Sequence, residues 1–411
     1  MAELHPPTHV QAEGDFELTR LLLLLGKALH RVGVPAHRLE GAMSSLANAI
    51  GVQASFFSTP TLLLATFGEL GRQRTQVIRV DQEEIHLTRL VAIDRLATRV
   101  GNRKLTPQAA VTELEDIESA PDPWPAWIVT LACCSASGCA ALLFGGDWAT
   151  AALASLGALL VRLIAIVAGT IPARRRMRTA LSSFVVALVC HRVAAHVPVN
   201  IAIAILAGLL ALLPGLTLTV AVTEIATRNL SSGSARLLDG VATLTQLGFG
   251  ALLGTTLGAW LGPTLHHTDL ALPTWQLWIC ALVTSCSLIF QFQATAKHGL
   301  LITSAGLISW GALQWASLWL GADVGLFAAA AIIGATGNAV ARIRRLPATV
   351  FVVPGLILLV PGSAGFSSVQ QLLSEDVVAG MSAAVRVLLL SSSLAAGLLM
   401  AQALVPPRRS L

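Results

Sequence analysis

Two Pro-Gly dipeptides interrupt long apolar stretches of this chain, Leu213-Pro214-Gly215 and Val360-Pro361-Gly362, 147 residues apart (361 − 214). A helix broken inside apolar sequence leaves backbone N–H and C=O groups unpaired, and these are tolerated at membrane depth only where they face protein, water or a ligand. Such breaks at matching places in two halves point to a carrier's binding site. Side chains able to hold a small polar solute follow each break. After the first come Thr217, Thr219, Thr223, Glu224, Arg236 and Asp239; after the second come Ser363, Ser367 and Ser368. Gly233 stands as far beyond Pro214 as Gly380 stands beyond Pro361. Arg162 and Arg386 fall inside apolar segments, where a charge is costly and marks a functional or paired position. Glu224, His191 and His196 are the groups able to carry a proton, since histidine titrates near neutrality and a buried glutamate can be shifted there. The same residues also fit duller roles. Glu224 with Arg236 suits a solvated loop pair, and His191 suits a membrane interface. Asn200 and Asn338 suit either helix cross-links or solute contacts.

A second group of candidates lies near the start. His37 and Glu40 are one helical turn apart, and Thr59, Pro60 and Thr61 follow Ser55 and Ser58. These residue types invite a hydrolase reading. However, there is no G-x-S-x-G elbow, no H-E-x-x-H pair and no phosphate loop. A His/Glu pair at this spacing more often caps or decorates a helix. The segment reads as a gate or regulator of the apolar part of the chain, or as a first binding stop for substrate.

The elements that position these residues differ along the chain. Residues 1–122 have ordinary charge density and read as a small cytoplasmic α/β domain. Helical patterns cover 16–31, 36–50, 84–100 and 106–119, and extended stretches cover 52–57, 62–67 and 74–80. The Leu21–Leu25 run is flanked by Glu17, Arg20 and Lys27, so it suits an amphipathic helix rather than a secretory signal. Pro121-Asp122-Pro123 reads as a linker.

Beyond it, apolar runs of about bilayer length predict ten membrane segments: 125–145, 148–169, 179–196, 198–214, 239–261, 274–293, 299–320, 323–341, 347–362 and 379–404. With 55% hydrophobic and 12% charged residues overall, the chain is too apolar for an ordinary soluble domain. The small excess of Lys and Arg over Asp and Glu, 27 against 22, suits a positive-inside bias and not nucleic acid. Arg174, Arg175, Arg176, Arg178, Arg228, Arg236, Lys297, Arg342, Arg344 and Arg345 all fall on the side expected to be cytoplasmic, with Arg408 and Arg409 in the tail. Trp124, Trp127, Trp148, Trp260, Trp275 and Trp278 suit an aromatic belt. The six cysteines lie in apolar runs and read as reduced thiols, with no metal site and no cofactor expected.

The fold class expected is an α-helical polytopic membrane protein: two five-helix membrane repeats, 123–262 and 263–411, behind the domain at 1–122. An odd number of helices inverts the second repeat. The first break should therefore open to the cytoplasm and the second to the outside, with both termini cytoplasmic. A rival register would pair Pro214 with Pro354 and Gly240 with Gly380. The 147-residue offset keeps both breaks at segment ends.

These residues resemble the threonine/serine exporter family across 15–404. The resemblance rests on Gly33-Val-Pro-Ala-His37-Arg-Leu-Glu40, then Phe57-Ser-Thr59-Pro60-Thr61, Leu213-Pro214-Gly215, Glu224 with Ser232-Gly233-x-x-Arg236, and Leu359-Val-Pro361-Gly362-Ser-Ala-Gly365-Phe366. Glu224 stands where related sequences often carry Asp. The resemblance implies a proton-driven secondary transporter of the bacterial inner membrane that exports threonine and serine. Its partners would be those amino acids and the lipid bilayer, and a homodimer is open. A membrane-anchored hydrolase and a channel or scramblase are the alternatives; an anchor alone would need no intramembrane breaks.

Overall fold

The computed structural model describes residues 9–69, 71–80, 85–169, 171–265, 273–359, 362–373 and 377–406. Pro361, Arg408, Arg409 and the 266–272 stretch lie outside the described residues.

The first domain follows the sequence pattern closely. Its elements are α1 (His9–Arg31), α2 (Ala36–Ile50), β1 (Ala54–Thr59), β2 (Leu62–Phe67), β3 (Arg74–Arg79), α3 (Leu87–Gly101) and α4 (Pro107–Ser119). The strands form an antiparallel meander in the order β1-β2-β3, with Thr59 opposite Leu62 across the Pro60-Thr61 turn. Period-two alternation in β2 buries Leu63, Ala65 and Phe67 on one face, and α1 covers that face with Leu21, Leu22, Leu25 and Leu29. Thr106 caps α4 by accepting from the Ala109 N–H, and Pro107 takes the first helical position, where its missing N–H costs nothing.

The 121–123 stretch is pinned rather than a free linker. Asp122 meets Arg89 at 3.1 Å and His86 at 3.2 Å. Trp124 then donates from its indole N–H to the Ala294 carbonyl at 2.7 Å and packs edge-on against Phe290. Trp124 is thus anchored inside the protein, whereas Trp127, Trp148, Trp260, Trp275 and Trp278 are exposed.

The membrane part consists of α5 (Ala126–Leu143), α6 (Trp148–Ala168), α7 (Pro172–Ala194), α8 (Ile201–Gly208), α9 (Gly215–Ala226) and α10 (Leu230–Trp260), then α11 (Thr274–Gln291), α12 (Gly299–Leu320), α13 (Ala322–Arg344), α14 (Thr349–Ile357), α15 (Gly362–Leu373) and α16 (Val377–Leu404). Among the described residues, eight spans are long and apolar enough to cross a membrane, or nine if the bent α8–α9 pair counts as one. The chain is thus a mostly helical, multi-pass membrane protein, but a ten-span count is not reached. Two features separate the structure from that expectation. The first break bends α8 against α9 by 52°, and α12 is diluted by Ser, Gly and Gln.

Packing repeats along the chain. The pairs α5–α6, α6–α7, α6–α8, α7–α8, α7–α10 and α9–α10 recur as α11–α12, α12–α13, α12–α14, α13–α14, α13–α16 and α15–α16. Residue register repeats too. Gly250 of α10 lies against the Ala180 carbonyl of α7, and 147 residues on, Gly397 of α16 lies against the Phe327 carbonyl of α13. Backbones approach this closely only where no Cβ intervenes. Pro354, on which the rival register depended, sits inside α14 and not at a break.

Candidate functional site

The two breaks meet. A Cβ on Gly362, the first residue of α15, would lie 3.3 Å from the Gly215 Cα and 3.4 Å from the Gly215 nitrogen, at the start of α9. This corrects the expectation that the breaks open at opposite faces. Both are followed by helix rather than loop, so both fall between half-helices in the body of the protein. Around them the halves interlock, α9 against α15 and α16, and α10 against α15.

A cavity of about 850 Å³ runs beside this junction. It is lined by the ends of both broken helices, 210–213 and 357–359, and by Gly215, Thr217, Gly362 and Ser363. It follows α5 from Val129 to Phe144, a rise of about 22 Å at 1.5 Å per residue. One end touches the first domain at Gly33 and Ile85; the other reaches Asp323 and Arg386. Lining charges are Arg162, Arg178, Arg236, Arg386 and Asp323. At the broken helices, N-terminal N–H groups and C-terminal carbonyls come together, able to meet an anionic and a cationic group respectively.

The sequence candidates separate into three groups. Arg162, Arg236, Arg386, Gly215, Thr217, Gly362 and Ser363 are brought to the cavity. Arg162 is half-buried, and its Nε is buried without a hydrogen-bond partner. Arg386 lies within α16 as expected, and it faces Asp323 in the first turn of α13 at 3.8 Å. A second group satisfies itself structurally. Thr219 and Thr223 donate to carbonyls one turn back, of Gly215 and Thr219. Ser368 donates to the Gly380 carbonyl, and Gly233 closes α10 onto α9, where a Cβ would lie 2.9 Å from the Ala221 oxygen. Asn200 caps α8 and Asn338 donates to the Val405 carbonyl. Pro214 is buried at the start of α9. The third group lies off the cavity: Asp239 is exposed, and His191 packs on Gly258 of α10, away from the lining.

Glu224 is fully buried, behind the cavity wall. It accepts from Arg236 Nε at 3.2 Å, from Ser232 Oγ at 2.9 Å and from the Ala36 backbone N–H of α2 at 2.9 Å. The first domain is therefore fastened to the membrane part at the His37 motif, and Arg38 adds a bond to Thr349 of α14 at 3.2 Å. His37 and Glu40 form no dyad. Glu40 accepts from the Ser58 N–H at 2.7 Å, tying α2 to β1, and burial holds its carboxyl above the usual range against that bond. Burial, reinforced by Arg38 and opposed by Glu224, pushes His37 down to about 4. Pro60 accepts from His30 at 3.2 Å, so Thr59, Pro60 and Thr61 form a braced turn. Among the described residues no cluster of His, Cys, Asp or Glu could hold a metal ion.

Comparison with known proteins bears on this architecture. A family model described as "Putative threonine/serine exporter" matches residues 20–258, more than half of the chain, and one described as "Threonine/Serine exporter, ThrE" matches 277–404. The chain belongs to the threonine/serine exporter family. Among relatives of this exporter-family chain, the "Probable threonine/serine exporter" of Mycobacterium tuberculosis is 27% identical over 69% of this chain and 55% of its own length. The "Pheromone-regulated membrane protein 10" of Eremothecium gossypii is 26% identical over 87% of this chain and 49% of its own. The chain spans about half the length of these curated relatives, and since they include yeast membrane proteins, a bacterial inner membrane does not follow from them. No solved structure matches.

Sequence reasoning missed Arg178, Thr179, Thr243, Thr284 and Gln291 on the cavity wall, which are spread over three different helices, α7, α10 and α11. It also missed the docking of Ala36 on Glu224, because a backbone donor leaves no trace in residue type.

Proposed function

We propose that this protein is a secondary transporter that exports threonine, serine and similar small amino acids, with the cavity beside the two breaks as its path. The observation carrying the reading is the meeting of Gly215 and Gly362 at the wall of that cavity, with four half-helix ends converging there. A zwitterion suits this chemistry. Its carboxylate suits Arg162 or the N-termini of α9 and α15, and its ammonium suits the carbonyl ends of α8 and α14. Thr217 and Ser363 supply hydroxyls for the side chain. The recurring helix packing supports an inverted repeat, which would give inward-open and outward-open states from one set of contacts. Loop charges favour the first domain facing the cytoplasm.

Proton coupling is the finer part of the reading, with Glu224 and His191 as its groups. Efflux of labelled threonine from preloaded vesicles, with and without an imposed proton gradient, tests both parts. Efflux in either condition is expected, and stimulation by an inward proton gradient is expected for antiport. No efflux in either condition from folded protein refutes the transporter reading; gradient-independent efflux refutes coupling alone.

A further inference from the structure

We propose that Glu224 is a latch that holds the first domain shut over one end of the cavity, by binding the first N–H of α2. Four observations carry this. Glu224 is fully buried, so its charge needs dedicated donors, and its two oxygens share Ala36, Ser232 and Arg236. Ala36 opens α2, where the helix N-terminus adds partial positive charge to a bare N–H. The residues just before it, 33–35, turn at Gly33 with φ +85°, and Gly33 lies on the cavity wall. Release of the Ala36 N–H would therefore loosen the 33–36 segment at this end, with Arg38 still bonded to Thr349.

The fourth observation is an asymmetry between the halves. The position 147 residues beyond Glu224 is Gln371, in the corresponding helix α15. Gln371 is exposed and borders a separate cavity of about 340 Å³ with Ser367 and Gln370, lined by none of the first domain's residues. The carboxylate receives Ala36 of the first domain, whereas that domain's ties to the second half run through Thr349 and Phe292. The charge of Glu224 thus has a docking role that the amide at the offset position, Gln371, does not repeat. Arg236 completes the device, since it lines the cavity while its guanidinium is held by the latch carboxylate.

The latch rests on the transport reading only for what it closes, and its test needs no substrate. Hydrogen–deuterium exchange is measured on the full chain in lipid nanodiscs, for wild type, Glu224→Gln and Ala36→Pro. The glutamine amide would set a donor against existing donors. The proline removes the N–H at a helix position that favours proline, and Pro35 already has the extended ψ of 148° that a following proline requires. Exchange at 37–40 should rise about tenfold or more in both variants, the scale of one lost charge-assisted hydrogen bond. Strand β2, central in the same domain, should keep its protection. Unchanged exchange at 37–40 in both variants would overturn the latch. So would equal loss of protection in β2, which would mean that Glu224 supports the domain's folding and not its docking.

Discussion

Arg162 offers the most direct test of the cavity as a binding site. It lies within α6, lines the cavity, and has its Nε buried without a hydrogen-bond partner. A structural arginine would hold its neighbours in place, and its removal would destabilise the protein by leaving partners unsatisfied. An arginine awaiting a carboxylate behaves differently: Arg162→Gln should leave thermal stability unchanged or slightly raised, because a costly desolvated charge is removed. Substrate binding should weaken by the value of a charged hydrogen bond, about 1.5–3 kcal/mol, or roughly 10- to 150-fold. Arg162→Lys keeps the charge but loses the two-pronged geometry, so it should fall between. The assay is the concentration dependence of labelled threonine efflux in proteoliposomes, alongside a melting curve without substrate. An unchanged half-saturation concentration in Arg162→Gln would refute the assignment. A lowered melting temperature without substrate would show instead that Arg162 supports the fold.

Other outcomes follow from the same geometry. Gly362→Val should abolish efflux and cost about 1–3 kcal/mol through overpacking against Gly215 and Leu213, with Gly362→Ala milder, as efflux and melting curves would read. For His37, the folded value of about 4 lies below the usual 6.5, so its contribution is intact above pH 6.5 and is lost as pH falls toward 4. At about 1.36 kcal/mol per unit, roughly 2 kcal/mol should be gone by pH 5. A His37→Asn variant should flatten the pH dependence of melting between pH 7 and 5. Trp124→Ala removes the bond to Ala294 and the contact with Phe290, so it should loosen the 121–125 junction by about 3 kcal/mol, seen as faster limited proteolysis there.

Local patterns were legible where one element determined them. The strand at 62–67 and the proline-started helix at 107–119 follow from alternation and capping in their own residues. Helix breaks were legible too, because Pro-Gly cannot continue a helix. Their depth was not. Thr217, Glu224 and the serines after Gly362 look like polar loop residues in one dimension, yet they belong to helices of 12 residues. A short polar-faced helix inside a protein and a surface loop share a composition, and only the neighbours that satisfy Thr219, Thr223 and Ser368 separate them. Pairing across the chain was likewise hidden. Arg386 looked like an isolated membrane charge because its partner Asp323 is 63 residues away in sequence (386 − 323).

The repeated and the unrepeated features divide the work of the molecule. Backbone contacts recur at the 147-residue offset, as Gly250 with Ala180 and Gly397 with Phe327 show, because close helix packing needs only small residues in register. Charges do not recur. Glu224 answers to Gln371, Arg236 to Ala383, and Asp239 to Arg386. In the transport reading proposed above, a strictly repeated pair of inverted halves would make its two end states equivalent. The unrepeated groups remove that equivalence, since Glu224 ties one end to the first domain and the other carries an exposed pair, Arg386 with Asp323. In the transport reading, these side chains and the domain they hold are one source of any difference in energy between its two end states.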